Sequence, residues 1–174
     1  SQAKLVIGCN IEDMSSFDLN FSLTLYTLIL GGTPDSKFFK NIREKYSLCY
    51  YITASSLKLN HAMLFKAGID SKNFDETLEH IRHEMKEMEL GHFTDTDIES
   101  AKQTYLTMLK SITDSQKSMA YSVLLMKSLD LGTIEERREN ILKVTKEQIM
   151  EVAKKIKINT IYLLEEASHE ESGV

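Results

Sequence analysis

The chain has 174 residues, 42% hydrophobic and 27% charged, the composition of an ordinary globular protein and a length suited to one well-packed domain. A net charge of −5 argues against a nucleic-acid binder, which needs a concentrated basic face; the densest basic pair, Arg137–Arg138, sits among Glu135, Glu136 and Glu139. The longest apolar stretch, residues 17–30, is broken by Asp18 and Asn20 and is too short and polar to span a bilayer, so neither nucleic acid nor membrane is an expected partner.

Residues 4–11 read as a buried strand, reached directly from Ser1 with no leader-like segment, as in a domain excised from a longer polypeptide. Phe17, Phe21, Leu25 and Leu28 recur at helical spacing up to Gly31-Gly32, which predicts a buried helix stopped by the glycine pair. Pro34, the only proline, opens a second helix capped by Asp35 or Ser36, with Phe39, Ile42 and Tyr46 on one stripe. Leu48, Tyr50, Ile52 and Ala54 then alternate with Cys49, Tyr51, Thr53 and Ser55, the period of a strand. A turn near Asn60-His61 leads to the apolar run 62–69, so a hairpin of 48–54 with 62–69 is expected.

The next helix has Asn73 as its cap, Glu76 at capping-box spacing, a stripe of Phe74, Leu78, Ile81, Met85 and Met88, and Gly91 as its stop. Further helices are predicted from a cap near Thr94, over about 115–131, after Thr133, and after Thr145 with a Thr-x-x-Gln box ending at Gln148. A strand over 160–164 closes the pattern. Residues 1–164 therefore read as a single α+β domain, a mostly antiparallel sheet with helices packed on one side, and the acidic 165–174 as a flexible tail.

Cys9 and Cys49 have no paired spacing and read as reduced thiols in a cytoplasmic setting. His80, His83 and Glu84 are the nearest approach to a metal motif. They run His-Ile-Arg-His-Glu, so the last two residues of the inverted zinc motif His-x-x-Glu-His are transposed. On a helical wheel His83 lies opposite the apolar stripe, with His80 and Glu84 beside it, which predicts a solvated face and no metal on this chain. His61 reads as a turn residue, and His92 and His169 fall at a helix end and in the tail. Nothing marks a nucleophile elbow, and Gly31-Gly32 lacks the Gly-Lys-Ser/Thr of a phosphate loop.

Residues 30–50 are more specific. They carry Gly31-Gly32, Ser36, Phe38-Phe39, Arg43-Glu44-Lys45, Leu48 and Tyr50. That series resembles the segment that pitrilysin, insulysin and the mitochondrial processing peptidase carry in the half opposite their zinc site. Residues 99–105, and Val144 to Gln148 leading to Val152-Ala153, resemble two further family helices less specifically. Ser47 stands where the family commonly has Gly, and Pro34 and Tyr51 also depart from the common form. These departures resemble a bacterial subgroup associated with modification of elongation factor P, whose members lack the zinc motif.

The resemblance implies the non-zinc half of a two-half metallopeptidase, or of its inactive relative, with zinc in a homologous partner half and a peptide or protein as substrate. It implies that Arg43 binds substrate carbonyls and that the Tyr50 phenol donates toward the oxyanion of the reaction. A preorganised donor of that kind supplies about 3–4 kcal/mol of transition-state stabilisation. It also leaves open a structural subunit, or a peptide-binding scaffold without chemistry. Read by residue type alone, Arg43 would be a surface arginine and Tyr50 a core tyrosine.

Overall fold

The computed structural model of the chain describes residues 2–113 and 127–165. Strands β1 (Gln2–Ile11), β2 (Cys49–Leu57), β3 (Ala62–Asp70) and β4 (Ile156–Glu165) form one antiparallel sheet in the order β2-β3-β1-β4. The α+β expectation holds, and β2 with β3 is the predicted hairpin, closed by a 3-10 turn, Lys58–Asn60, and a left-handed His61. β2 and β4 run longer than their patterning indicated. Both are edge strands, and where both faces of an edge are solvated the period of two carries little signal. Glu165, read above as tail, pairs with Ala3. The rest of that stretch and most of the helix predicted over 115–131 lie outside the described residues.

Directly opposed residues in such a sheet share a face. The rows Cys49–Ile69–Ala3, Ile52–Ala67–Leu5 and Ala54–Phe65–Ile7 are buried beneath the helices. The opposite face carries Tyr51–Gly68–Lys4–Leu164 and Thr53–Lys66–Val6–Tyr162, and it stays open, with Tyr51, Tyr162 and Leu164 exposed.

The first predicted helix forms but is wound unevenly: π over Asp18–Ser22, α over Leu23–Thr27 (α1), and π again over Leu28–Gly32. Thr24 and Thr27 donate their hydroxyls to the carbonyls of Asn20 and Leu23, at 2.8 and 2.7 Å. Back-bonding of this kind bends a helix, and here the wider winding lies on either side of it. The helix stops at Gly32, where the chain becomes extended at Thr33. Gly31 has a second role. A Cβ there would lie 2.6 Å from the Phe38 ring and 2.8 Å from the Ala54 Cβ, so only glycine lets the helix end lie this close to β2. The second predicted helix is the π-wound segment Phe38–Lys45, with Ile42 and Phe38 buried.

Helix α2 (Phe74–Glu89) ends as predicted: Gly91 is left-handed, φ 76°, and the His92 N–H reaches the Glu87 carbonyl at 2.9 Å, as in a Schellman turn. Its start differs. Asn73 makes no side-chain cap, because φ −93°, ψ 5° is close to helical and the cap geometry needs an extended residue. Its amide turns instead to the Leu48 carbonyl at 3.4 Å. Ile81, Met85 and Met88 are buried, packing α2 mainly against α5 (Lys146–Lys154) and Phe38–Lys45. Helix α3 (Asp95–Thr113) opens on reciprocal Thr94–Asp97 bonds. Helices α4 (Ile134–Lys143) and α5 both start with complete capping boxes, Thr133–Glu136 and the predicted Thr145–Gln148. Among the described residues no helix is long and apolar enough to cross a membrane.

Candidate substrate-facing site

Arg43 lies near the end of the π-wound segment, exposed to solvent. Its guanidinium stacks over the Phe39 ring at 4.6 Å, a cation–π contact that fixes the plane of the fork and leaves its hydrogens for a ligand. It lines a cleft of about 250 Å³, with Gly31, Gly32 and Phe39 on one wall and Tyr51, Ile52 and Thr53 on the other. The cleft thus follows an edge strand, beside the close contact that Gly31 permits.

Tyr50 comes to the surface through a bulge. Cys49 pairs with Ile69 and Tyr51 with Gly68, so Tyr50 is the extra residue between them. Strict alternation would have put it with buried Leu48 and Ile52, yet it is 52% exposed. Its phenol donates to Asp70 Oδ1 at 3.0 Å, and this bond, with slight desolvation and the Asp70 charge, raises its pKa. Tyr50 is not among the residues that line the Arg43 cleft. The buried thiol of Cys49, next to Tyr50 in the chain, is pushed up to about 11 by desolvation, with the Arg43 charge acting in the opposite direction.

Tyr51, noted in the sequence only as a departure from the family's common form, is the tyrosine that lines the cleft with Arg43. Its ring covers Gly68, where a Cβ would lie 2.5 Å from the ring. A glycine inside a strand opposite an aromatic residue was the available signal. Ser47, at the position where the resembled family commonly has Gly, is left-handed with φ 53°. That conformation costs a side chain about 1–2 kcal/mol, partly offset by the lower entropy of an unfolded serine. Ser47→Gly is therefore expected to stabilise the fold by about 0.5 kcal/mol, read as a small rise in denaturation midpoint.

The His80–Glu84 face is not the solvated surface that the helical wheel predicted. His83 is exposed, but Glu84 is only 3% exposed, and His80 stacks on Tyr46 with ring centroids 4.1 Å apart. The wheel treats a helix in isolation, whereas Phe38–Lys45 docks on this flank and brings polar partners. Asn41 donates to Glu84 Oε1 at 2.8 Å and Lys37 pairs with Oε2 at 3.3 Å. Glu84→Ala would leave Lys37 and Asn41 without their carboxylate and should cost about 1–2 kcal/mol, measured by chemical denaturation. With Glu84 and His80 so committed, these residues do not suit zinc. Among the described residues no three His, Cys, Asp or Glu side chains gather to hold a metal ion.

Comparison with known proteins identifies the family and the fold. Residues 1–105 match the family described as Peptidase M16 inactive domain. The probable inactive metalloprotease YmfF of Bacillus subtilis (strain 168) is 28% identical over 165 residues, 94% of this chain and 38% of the relative. A conserved protein from Enterococcus faecalis V583 superposes with a TM-score of 0.87 at 30% identity, covering 95% of this chain and 39% of that one. The inactive peptidase domain of a putative zinc protease from Bordetella parapertussis shares the fold, with a TM-score of 0.73 at 15% identity over 95% of each chain. The chain spans about two-fifths of the length of the first two. The match over residues 1–105 takes in the Arg43–Tyr50 segment and three of the four strands, and the chain belongs to the Peptidase M16 inactive domain family.

Proposed function

We propose that this chain is the peptide-holding half of a two-half, pitrilysin-type assembly, cytoplasmic in setting, whose zinc belongs to a homologous partner half. The observation that carries the reading is the presentation of Arg43 and Tyr50. Both are exposed rather than used in the core, Arg43 in a cleft along an edge strand and Tyr50 on a bulge. An edge strand offers backbone groups to an extended peptide, and an arginine fork beside it can donate to the peptide's carbonyls. With its proton on Asp70, the Tyr50 oxygen can accept from a peptide N–H. Donation to an oxyanion requires the phenol to leave Asp70 when the halves close. Buried, unpaired Cys9 and Cys49 fit a reducing compartment.

Mixing the chain with a zinc-bearing homologous half should create peptidase activity that neither part has alone. Absence of cleavage across a broad peptide library, from an assembly shown to have formed, would leave the scaffold reading. That second reading is favoured by one observation: Tyr162 and Leu164 of β4 are exposed together on the open face at the other edge of the sheet, an apolar pair suited to a structural contact.

A further inference from the structure

The β2 wall of the Arg43 cleft is Tyr51, Ile52 and Thr53, and the next β2 residues, 54–57, line a second hollow of about 520 Å³. Gly32 belongs to both, so cleft and hollow form one groove between β2 and the first helix. Along it β2 is an edge strand, and among the described residues no backbone bond outside the sheet ladder engages residues 50–57.

The hollow is suited to apolar surface. Leu28 and Leu131 are buried parts of its wall, while Leu57, Leu59 and Met108 stand around it exposed to water. Three exposed large apolar residues around one concavity mark a binding surface, because an apolar occupant would take them out of water. One wall carries the Lys58 ammonium, which donates to the Asn20 carbonyl at 2.8 Å and to Thr24 Oγ1 at 2.6 Å, and the described lining holds no aspartate or glutamate. Burial, with the Arg137 charge, lowers the Lys58 pKa to about 8, so at pH 7 it is still charged and would repel a basic side chain.

Spacing joins the hollow to the cleft. Ile52, opposite Ala67, and Ser56, opposite Met63, both lie on the face of the sheet that the helices cover. Ile52 lines the cleft and Ser56 the hollow, four positions on, which in a strand is about 13 Å. An extended peptide lying along β2 has the same rise. It would set one helix-facing residue beside Arg43 and the residue four positions away at the hollow. Resting on the peptide-holding reading above, we infer that the hollow is a specificity subsite. It takes a large apolar side chain (Phe, Leu or Met) four residues from the peptide residue at Arg43, and it rejects Lys and Arg. Main-chain contacts in the cleft then serve any sequence, and the hollow chooses among sequences.

The test is titration of the methyl-labelled chain, followed by NMR at pH 7, with four blocked nine-residue Ser/Thr peptides whose central residue is Phe, Leu, Ser or Lys. The Phe and Leu peptides should bind at least about tenfold more tightly than the Ser peptide, and the Lys peptide no more tightly than Ser. Methyl signals of Leu57 and Met108 should shift with Phe and stay in place with Ser. Two substitutions at exposed positions, Met108→Glu and Leu57→Thr, should each bring the Phe peptide close to the affinity of the Ser peptide while leaving the Ser peptide unchanged. A merely structural effect would weaken all four alike. Arg43→Ala should weaken all four. Equal affinity for Phe and Ser, with binding still weakened by Arg43→Ala, overturns the subsite and leaves the peptide-holding reading standing. Binding indifferent to Arg43→Ala, or no binding by any of the four, overturns both.

Discussion

Gly31→Ala is expected to lower the melting temperature by about 5–10 °C, although it adds a single methyl group. The new Cβ would lie 2.6 Å from Phe38 Cδ2, 2.8 Å from the Ala54 Cβ and 2.9 Å from the Ala54 backbone nitrogen. The Phe38 ring has little room to yield. It is fully buried and meets the Phe65 ring edge-on at 5.2 Å. Ala54 N is strand backbone and moves only with β2. Overpacking of this kind costs about 1–3 kcal/mol, and a backbone obstacle puts Gly31 at the upper end. The relief available is separation of the first helix from β2, which would also widen the cleft that Gly31, Arg43 and Tyr51 line. A melting temperature within a degree or so of the native chain would show that the helix can shift at little cost.

The largest functional effects are expected at Arg43 and Tyr50 in an assembly with an active zinc-bearing half. In the proposed role, Arg43→Ala removes a charged fork that would bond peptide carbonyls in the bound substrate as well as in the transition state. Its effect should fall on KM, raised about tenfold or more with kcat little changed. Tyr50→Phe removes one hydroxyl from an exposed ring, so the fold should be untouched. If the phenol leaves Asp70 to serve an oxyanion, kcat should fall by about 10²–10³ with KM nearly constant. A rise in KM at constant kcat would mean that the phenol stays on Asp70 and accepts from the peptide. Steady-state kinetics on one substrate separates these outcomes, and no change in either parameter would remove Tyr50 from the site.

The parts of this molecule that were readable in the sequence are those written in a local period or a local cap. The β2–β3 hairpin, the Gly91 stop and the Thr145–Gln148 box each follow from residues within a few positions of one another. The bulge at Tyr50 does not. Its exposure depends on Cys49 meeting Ile69 while Tyr51 meets Gly68, and a cross-strand register cannot be seen in one strand's alternation. Alternation alone places Tyr50 in the core, and the family resemblance pointed the other way. Glu84 was misread because burial of a helix flank depends on what docks there. Lys58 and Arg137, 79 positions apart in sequence, share a cavity only through the packing of helices on the hairpin turn. Tyr51 stood out in the sequence only as a departure from the family's common form, because its structural partner is an absence of side chain at Gly68.

The central claim is that the face bearing Arg43 holds an extended peptide, and it is tested most directly by affinity in the assembled pair. A fluorescent, non-cleavable peptide should be titrated by anisotropy against the pair built with native chain and with Arg43→Ala, each shown to assemble and melt alike. The account predicts binding at least about tenfold weaker for Arg43→Ala, from loss of charge-assisted bonds to the peptide carbonyls. Equal affinity for the two assemblies would contradict it.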